Sequence, residues 1–171
     1  MRHVVNLVAV LVLAAIAAGA VIASRSGEHF QAEVEQTRAS VVKIADELVL
    51  RSQSGQADTN PRGWSETIVP AWFGGELPPN MLLDSDRPWM EVASVEQADW
   101  QHPWPLFDTT GHDSAFWYNP ALGIVRARVA MLATDEQTLA AYNRINNTAL
   151  TSLGQPAPKH VNTQTNVNSS D

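Results

Sequence analysis

The side chains best suited to chemistry in this sequence are histidines and aspartates near its middle. Their types can bind metal ions, but their spacing matches no established set of metal ligands. They are His102, Asp108, His112 and Asp113. The acidic run Asp84-Ser85-Asp86 offers oxygen atoms to calcium, yet the glycine and closing glutamate of an EF-hand loop are missing. We therefore predict no metal site and assign these residues to turns and to the surface.

A catalytic nucleophile or nucleotide site is also hard to place. The chain has no cysteine, which excludes disulfides, thiolate metal sites and a cysteine nucleophile. No serine lies in a G-x-S-x-G turn, and Gly74-Gly75 lacks the lysine of a phosphate-binding loop. The formal net charge of -7 gives no general attraction to nucleic acid. We expect a protein that is not an enzyme, has no cofactor and binds no nucleic acid.

The segment AFWYNPALGIVRARV, residues 115–129, combines aromatic residues with two alternating arginines. Its pattern predicts a β-hairpin, with strands at 115–118 and 124–132 and a turn at 119–123. In an antiparallel sheet, one face of the second strand is core and the other is wet. The core face would carry Val125, Ala127, Val129 and Met131, and the wet face Ile124, Arg126, Arg128 and Ala130. A binding strip for a partner or for single-stranded nucleic acid is the alternative interpretation.

The element at the start of the chain is an apolar run, residues 4–23, in which Asn6 is the one strongly polar residue. As a helix it is about 30 Å long, which matches a hydrocarbon core. The run predicts a transmembrane helix after a cytoplasmic start at residues 1–3. A cleaved signal peptide is the alternative, since Arg2 and His3 are basic and Ala18-Gly19-Ala20 fits a cleavage site. The arginine distribution favours a cytoplasmic N-terminus.

Residues 24–53 predict an amphipathic helix. Its apolar stripe, at spacings of three and four, consists of Phe30, Val34, Thr37, Val41, Ile44 and Leu48. The stripe fits either a two-stranded coiled coil or packing against the chain's own C-terminal domain.

We predict that the C-terminal domain spans residues 54–153. It begins with a Gly- and Pro-rich region that apolar residues anchor, and a short helix at 65–73 would break or kink at Pro70. Residues 89–95 predict a further strand. Thr134 and Gln137 have the form of a capping box that opens a C-terminal helix. Residues 154–171 are polar and predict a disordered tail.

Three short motifs give this order of elements a family likeness. They are GELPPNMLLD at 75–84, FWYNPALGIVRARV at 116–129 and TLAAYNRIN at 138–146. Together with the N-terminal helix, they resemble type IV pilin-like proteins and pseudopilins, especially the minor pilin-like proteins of general secretion or mannose-sensitive haemagglutinin pilus systems. The resemblance implies an α+β fold, with a long N-terminal helix packed on a small antiparallel β-sheet and a short C-terminal helix.

The resemblance also implies a structural or accessory protein of type IV pilus or type II secretion pseudopilus assembly. Its partners would be inner-membrane lipid, other pilin or pseudopilin-like subunits and assembly-platform proteins. Its location would be the bacterial inner membrane, in a single pass with a periplasmic C-terminal domain. The start MRHVVNLVAV lacks the glycine, phenylalanine and glutamate of a prepilin processing site, which favours an accessory over a filament subunit. The alternative function is an anchored envelope module whose Trp-rich loop region binds carbohydrate or peptide.

Overall fold

In the part of the chain that the structure describes, two α-helices pack with one small sheet. The structure is a computed structural model that describes residues 2–154, with side chains from residue 27 onward. Helix α1 spans Arg2–Gln53, the strands are β1 (Met90–Val92), β2 (Phe116–Asn119) and β3 (Ile124–Ala127), and helix α2 spans Asp135–Asn146. Short 3-10 helices lie at Pro70–Phe73 and Val95–Gln97. This α+β architecture, with its long first helix and short last helix, confirms the coarse fold prediction.

Helix α1 docks on the domain through the stripe that the sequence predicts. Val34, Ile44 and Leu48 are at most 1% exposed, and Val41 is also buried. The helix contacts both α2 and β3, so its stripe packs on the chain's own domain. Thr37, the polar member of the stripe, is satisfied because its Oγ1 accepts a hydrogen bond from the Met81 N–H at 2.9 Å. Each large apolar side chain buried here stabilises the docking by about 1.5–3 kcal/mol.

The sheet is mixed, so the prediction of a purely antiparallel sheet is wrong. Strands β2 and β3 are antiparallel, with Phe116 opposite Ala127, but β1 runs parallel to β2. Parallel neighbours need a long crossover because the chain must return to the same end of the sheet. Residues 93–115 make this crossover and hydrogen-bond to the sheet through the side chains of Asn119, Arg126 and Arg128.

The β2–β3 connection confirms the predicted hairpin. The N–H groups of Leu122 and Gly123 both donate to the Asn119 carbonyl, at 3.2 and 2.8 Å. Gly123 has φ +65°, and a Cβ atom there would lie 2.3 Å from a ring carbon of Trp64. Only glycine fits this position, because both the backbone angle and the indole ring exclude a side chain.

The prediction of a wet face on β3 is wrong. Val125, Ala127 and Val129 lie in the core as expected, but Arg128 is only 3% exposed and Arg126 is half-buried. The face that carries Arg126 and Arg128 is covered by the crossover, not by water. Met131, assigned to the core face, is 62% exposed, because β3 ends at Ala127 and strict alternation holds only within a strand.

The ends of the other elements follow local rules. Pro70 begins a 3-10 helix instead of kinking a longer one, since proline is favoured at the first helical position. Helix α2 begins after Thr134, whose Oγ1 accepts a hydrogen bond from the Gln137 N–H at 3.2 Å, as the cap predicts. It ends where Asn147 adopts φ +50°.

The predicted single-pass inner-membrane location is corrected by the structure. Among residues 27–154, no helix is both long enough and apolar enough to cross a bilayer. The predicted start at 1–3 and the apolar run at 4–23 lie outside the residues whose side chains are described. Of the tail predicted at 154–171, the structure describes only Gly154.

Candidate functional site

Asp108, one of the residues whose type could bind a metal ion, is held by hydrogen bonds from other residues. The Asp108 carboxylate receives a hydrogen bond from Arg87 at 2.8 Å and further ones from the N–H groups of Thr110, Gly111 and Asp113. Burial raises the pKa of Asp108, but these donors and the Arg87 charge outweigh it, so the pKa lies below its usual value. Lone pairs engaged in this way are not free to bind a cation.

The two histidines lie in different environments. His102 Nδ1 is 3.1 Å from the hydroxyl oxygen of Tyr142, and burial, together with the charge of Arg126, lowers the pKa of His102 to about 4. His112 is exposed. Asp84, Ser85 and Asp86 are exposed as well. In the described part of the chain, no three His, Cys, Asp or Glu side chains come together to hold a metal ion.

Both arginines of the hairpin are held by the protein itself. Arg128 forms an ion pair with Glu91 at 2.6 Å and donates to the carbonyls of Pro105 and Ser114 at 3.3 and 3.1 Å. Arg126 donates to the carbonyl of Gln101 at 3.2 Å. These guanidinium groups fasten the crossover to the sheet and are not displayed as a binding strip.

The six tryptophans do not form one aromatic surface. Trp117 is fully buried, and its Nε1–H has no acceptor among the described residues. Trp89 donates its Nε1–H to the Pro78 carbonyl at 3.0 Å. Trp64, Trp72 and Trp89 pack against the core, whereas Trp104 is 54% exposed. The tryptophans that would form the predicted ligand-binding loop region therefore lie in different environments and do not share one surface.

Three buried asparagines perform structural work that the sequence analysis missed. Asn80 donates from Nδ2 to the carbonyls of Ala115 and Arg128, at 2.9 and 2.8 Å. Asn119 places its Nδ2 within 3.1 Å of the carbonyls of Gln97, Ala98 and Trp100 in the crossover. Asn80 lies in the motif at 75–84 and Asn119 in the motif at 116–129. In both motifs, the asparagine side chain hydrogen-bonds to main-chain carbonyls of a distant segment.

The third asparagine, Asn146, completes the free edge of β3. Its Oδ1 accepts a hydrogen bond from the Ala127 N–H at 2.8 Å, and its Nδ2 donates to the Ala127 carbonyl at 2.9 Å. The amide therefore takes the place of a neighbouring strand. The available signal for two of these roles was an asparagine directly after a large apolar or aromatic residue, Asn119 after Tyr118 and Asn146 after Ile145.

One surface of α1 remains without cover in the described structure. We call it the outward face of α1, and it has a shallow depression along the helix. Val42 and Leu50 are 51% and 56% exposed there. Glu35 pairs with Arg144 and Glu47 with Arg51, whereas three charged residues of this face have no salt bridge to any described residue. The residues that line the face are Glu35, Arg38, Ala39, Val42, Lys43, Asp46, Glu47 and Leu50.

Comparison with known proteins found no matching family model, no matching curated protein and no matching solved structure. There is accordingly no family evidence for the predicted pilus or secretion component. The prediction of a membrane protein is corrected, because no helix within residues 27–154 is long and apolar enough to cross a bilayer.

Proposed function

We propose that this chain is a structural subunit that acts by packing its long helix against other protein, not by catalysis. This keeps the structural role that the pilin-like resemblance implies. The observation that supports it is the outward face of α1, where Val42 and Leu50 are exposed on a helix whose opposite side is fixed to the domain. A rigid, preformed surface loses little entropy when it binds.

The polar composition of the same face fits a protein partner. Arg38, Lys43 and Asp46 have no salt bridge to the described residues, so their charges are free to orient a partner. The alternative is a Trp-based module for carbohydrate or peptide, and among the described residues it has a strongly exposed indole only at Trp104. A single ring gives it much less contact area than the outward face of α1 gives to packing.

Site-specific photo-crosslinking tests the proposal. A benzophenone amino acid at Ala39, on the outward face, is expected to capture the same identified protein as one at Val42. A probe at Glu76, which is also exposed but lies in the loop region, should not capture that protein. If the probes at Ala39 and Val42 form no protein adduct above the level at Glu76, the proposal is wrong.

A further inference from the structure

The outward face of α1 contains a row of residues with opposite charges at its two ends. Arg38, Val42 and Asp46 follow each other at intervals of four, so they form one ridge along the helix surface. The ridge is positive at one end, apolar at its centre and negative at the other end. All three residues are exposed, and neither Arg38 nor Asp46 has an ion-pair partner among the described residues.

This arrangement is complementary to itself when a second copy is turned end for end. A two-fold axis through Val42 places Arg38 of each copy opposite Asp46 of the other, because both lie about 6 Å from the axis along the helix. A parallel arrangement in register would instead bring Arg38 next to Arg38 and Asp46 next to Asp46.

We propose that the outward face of α1 binds the same face of a second copy, with the helices antiparallel and Val42 at the two-fold axis. This inference rests on the proposed function, since it names the partner of the packing surface. Two intermolecular ion pairs flank an apolar centre and set both the orientation and the register. Such charge pairs contribute more to orientation than to affinity, so Val42 supplies the apolar contact.

Charge reversal tests the register. Arg38→Asp and Asp46→Arg each create like-charge contacts at both ends of the ridge, so each is expected to weaken dimerisation by at least about tenfold. The double variant Arg38→Asp/Asp46→Arg restores opposite charges and is expected to regain dimerisation. Sedimentation of the purified full chain measures all three. Single variants that dimerise like the wild type, or a double variant that stays monomeric, would overturn the inference.

Engineered cysteines test the orientation, because the chain has no cysteine of its own. A cysteine at Val42 lies next to its symmetry mate at the axis and is expected to form an interchain disulfide. Leu50 is similarly exposed but lies about 12 Å from the axis along the helix, which separates the two copies by about 24 Å. Leu50→Cys should therefore give no disulfide dimer.

The outcomes separate this inference from the proposed function. Disulfide dimers from both Val42→Cys and Leu50→Cys would show a parallel arrangement and overturn the antiparallel one. A purified chain that stays monomeric, while probes at Ala39 and Val42 capture another identified protein, would overturn the inference and leave the proposed function standing. Failure of both the crosslinking and the dimerisation would overturn both.

Discussion

Replacing Asn146 with alanine removes the side chain that completes the edge of β3. The Ala127 N–H and carbonyl lose their partners, and Ala127 is 0% exposed, so water does not reach them without rearrangement. A buried polar group left without a hydrogen bond costs about 1–3 kcal/mol. With two such groups, we expect the free energy of unfolding to fall by about 3 kcal/mol, which is about a hundredfold in the folding equilibrium.

Chemical denaturation followed by tryptophan fluorescence measures this loss, and thermal unfolding should show a Tm lower by about 6–12 °C. The matched control is Gln137→Ala, an exposed position in the same helix, which is expected to change stability by less than about 0.5 kcal/mol. A loss below about 1 kcal/mol for Asn146→Ala would refute the argument that this amide substitutes for a strand.

Three further changes test other parts of the fold. Gly123→Ala should lower the free energy of unfolding by about 3 kcal/mol because its Cβ overlaps an indole ring. Gly111→Ala, also at positive φ but in open space, should lower it by about 1 kcal/mol. Burial and the charge of Arg126 lower the pKa of His102 in the folded protein from its ordinary value of 6.5 to about 4. As the pH falls, His102 takes up a proton in the unfolded chain before it does so in the folded one. The free energy of unfolding should therefore keep its full value above about pH 6.5 and decrease as the pH drops towards 4. His102→Gln should make the free energy of unfolding depend less on pH in this range. Arg87→Met leaves the Asp108 carboxylate without its ion pair and should cost about 2 kcal/mol at neutral pH and less in acid, when that carboxyl is protonated.

Features with a local period could be predicted from the sequence. The stripe from Val34 to Leu48 repeats at helical spacing and is buried where α1 meets the domain. The hairpin was also predictable, because the Asn119-Pro120 and Gly123 turn residues separate two runs of strand-forming residues. In both cases the signal and the structure lie within the same few residues.

Features that depend on distant residues could not be predicted in this way. The burial of Arg128 requires Glu91 and the carbonyl of Pro105, which approach it only after the crossover has folded over the sheet. The parallel direction of β1 depends on the same crossover. The asparagines were missed for a related reason: Asn80 reaches main-chain carbonyls 35 and 48 residues away in sequence.

The proposed function is that of a subunit that packs through the outward face of α1. Native gel electrophoresis of extracts from its host cell tests this most directly, with Val42→Asp compared against wild type and against Glu76→Ala. Val42 is half exposed, so the substitution leaves the core intact. We predict that wild type and Glu76→Ala migrate in a complex well above the 18.6 kDa of one chain and that Val42→Asp is released from it. An unchanged complex in Val42→Asp would contradict the claim.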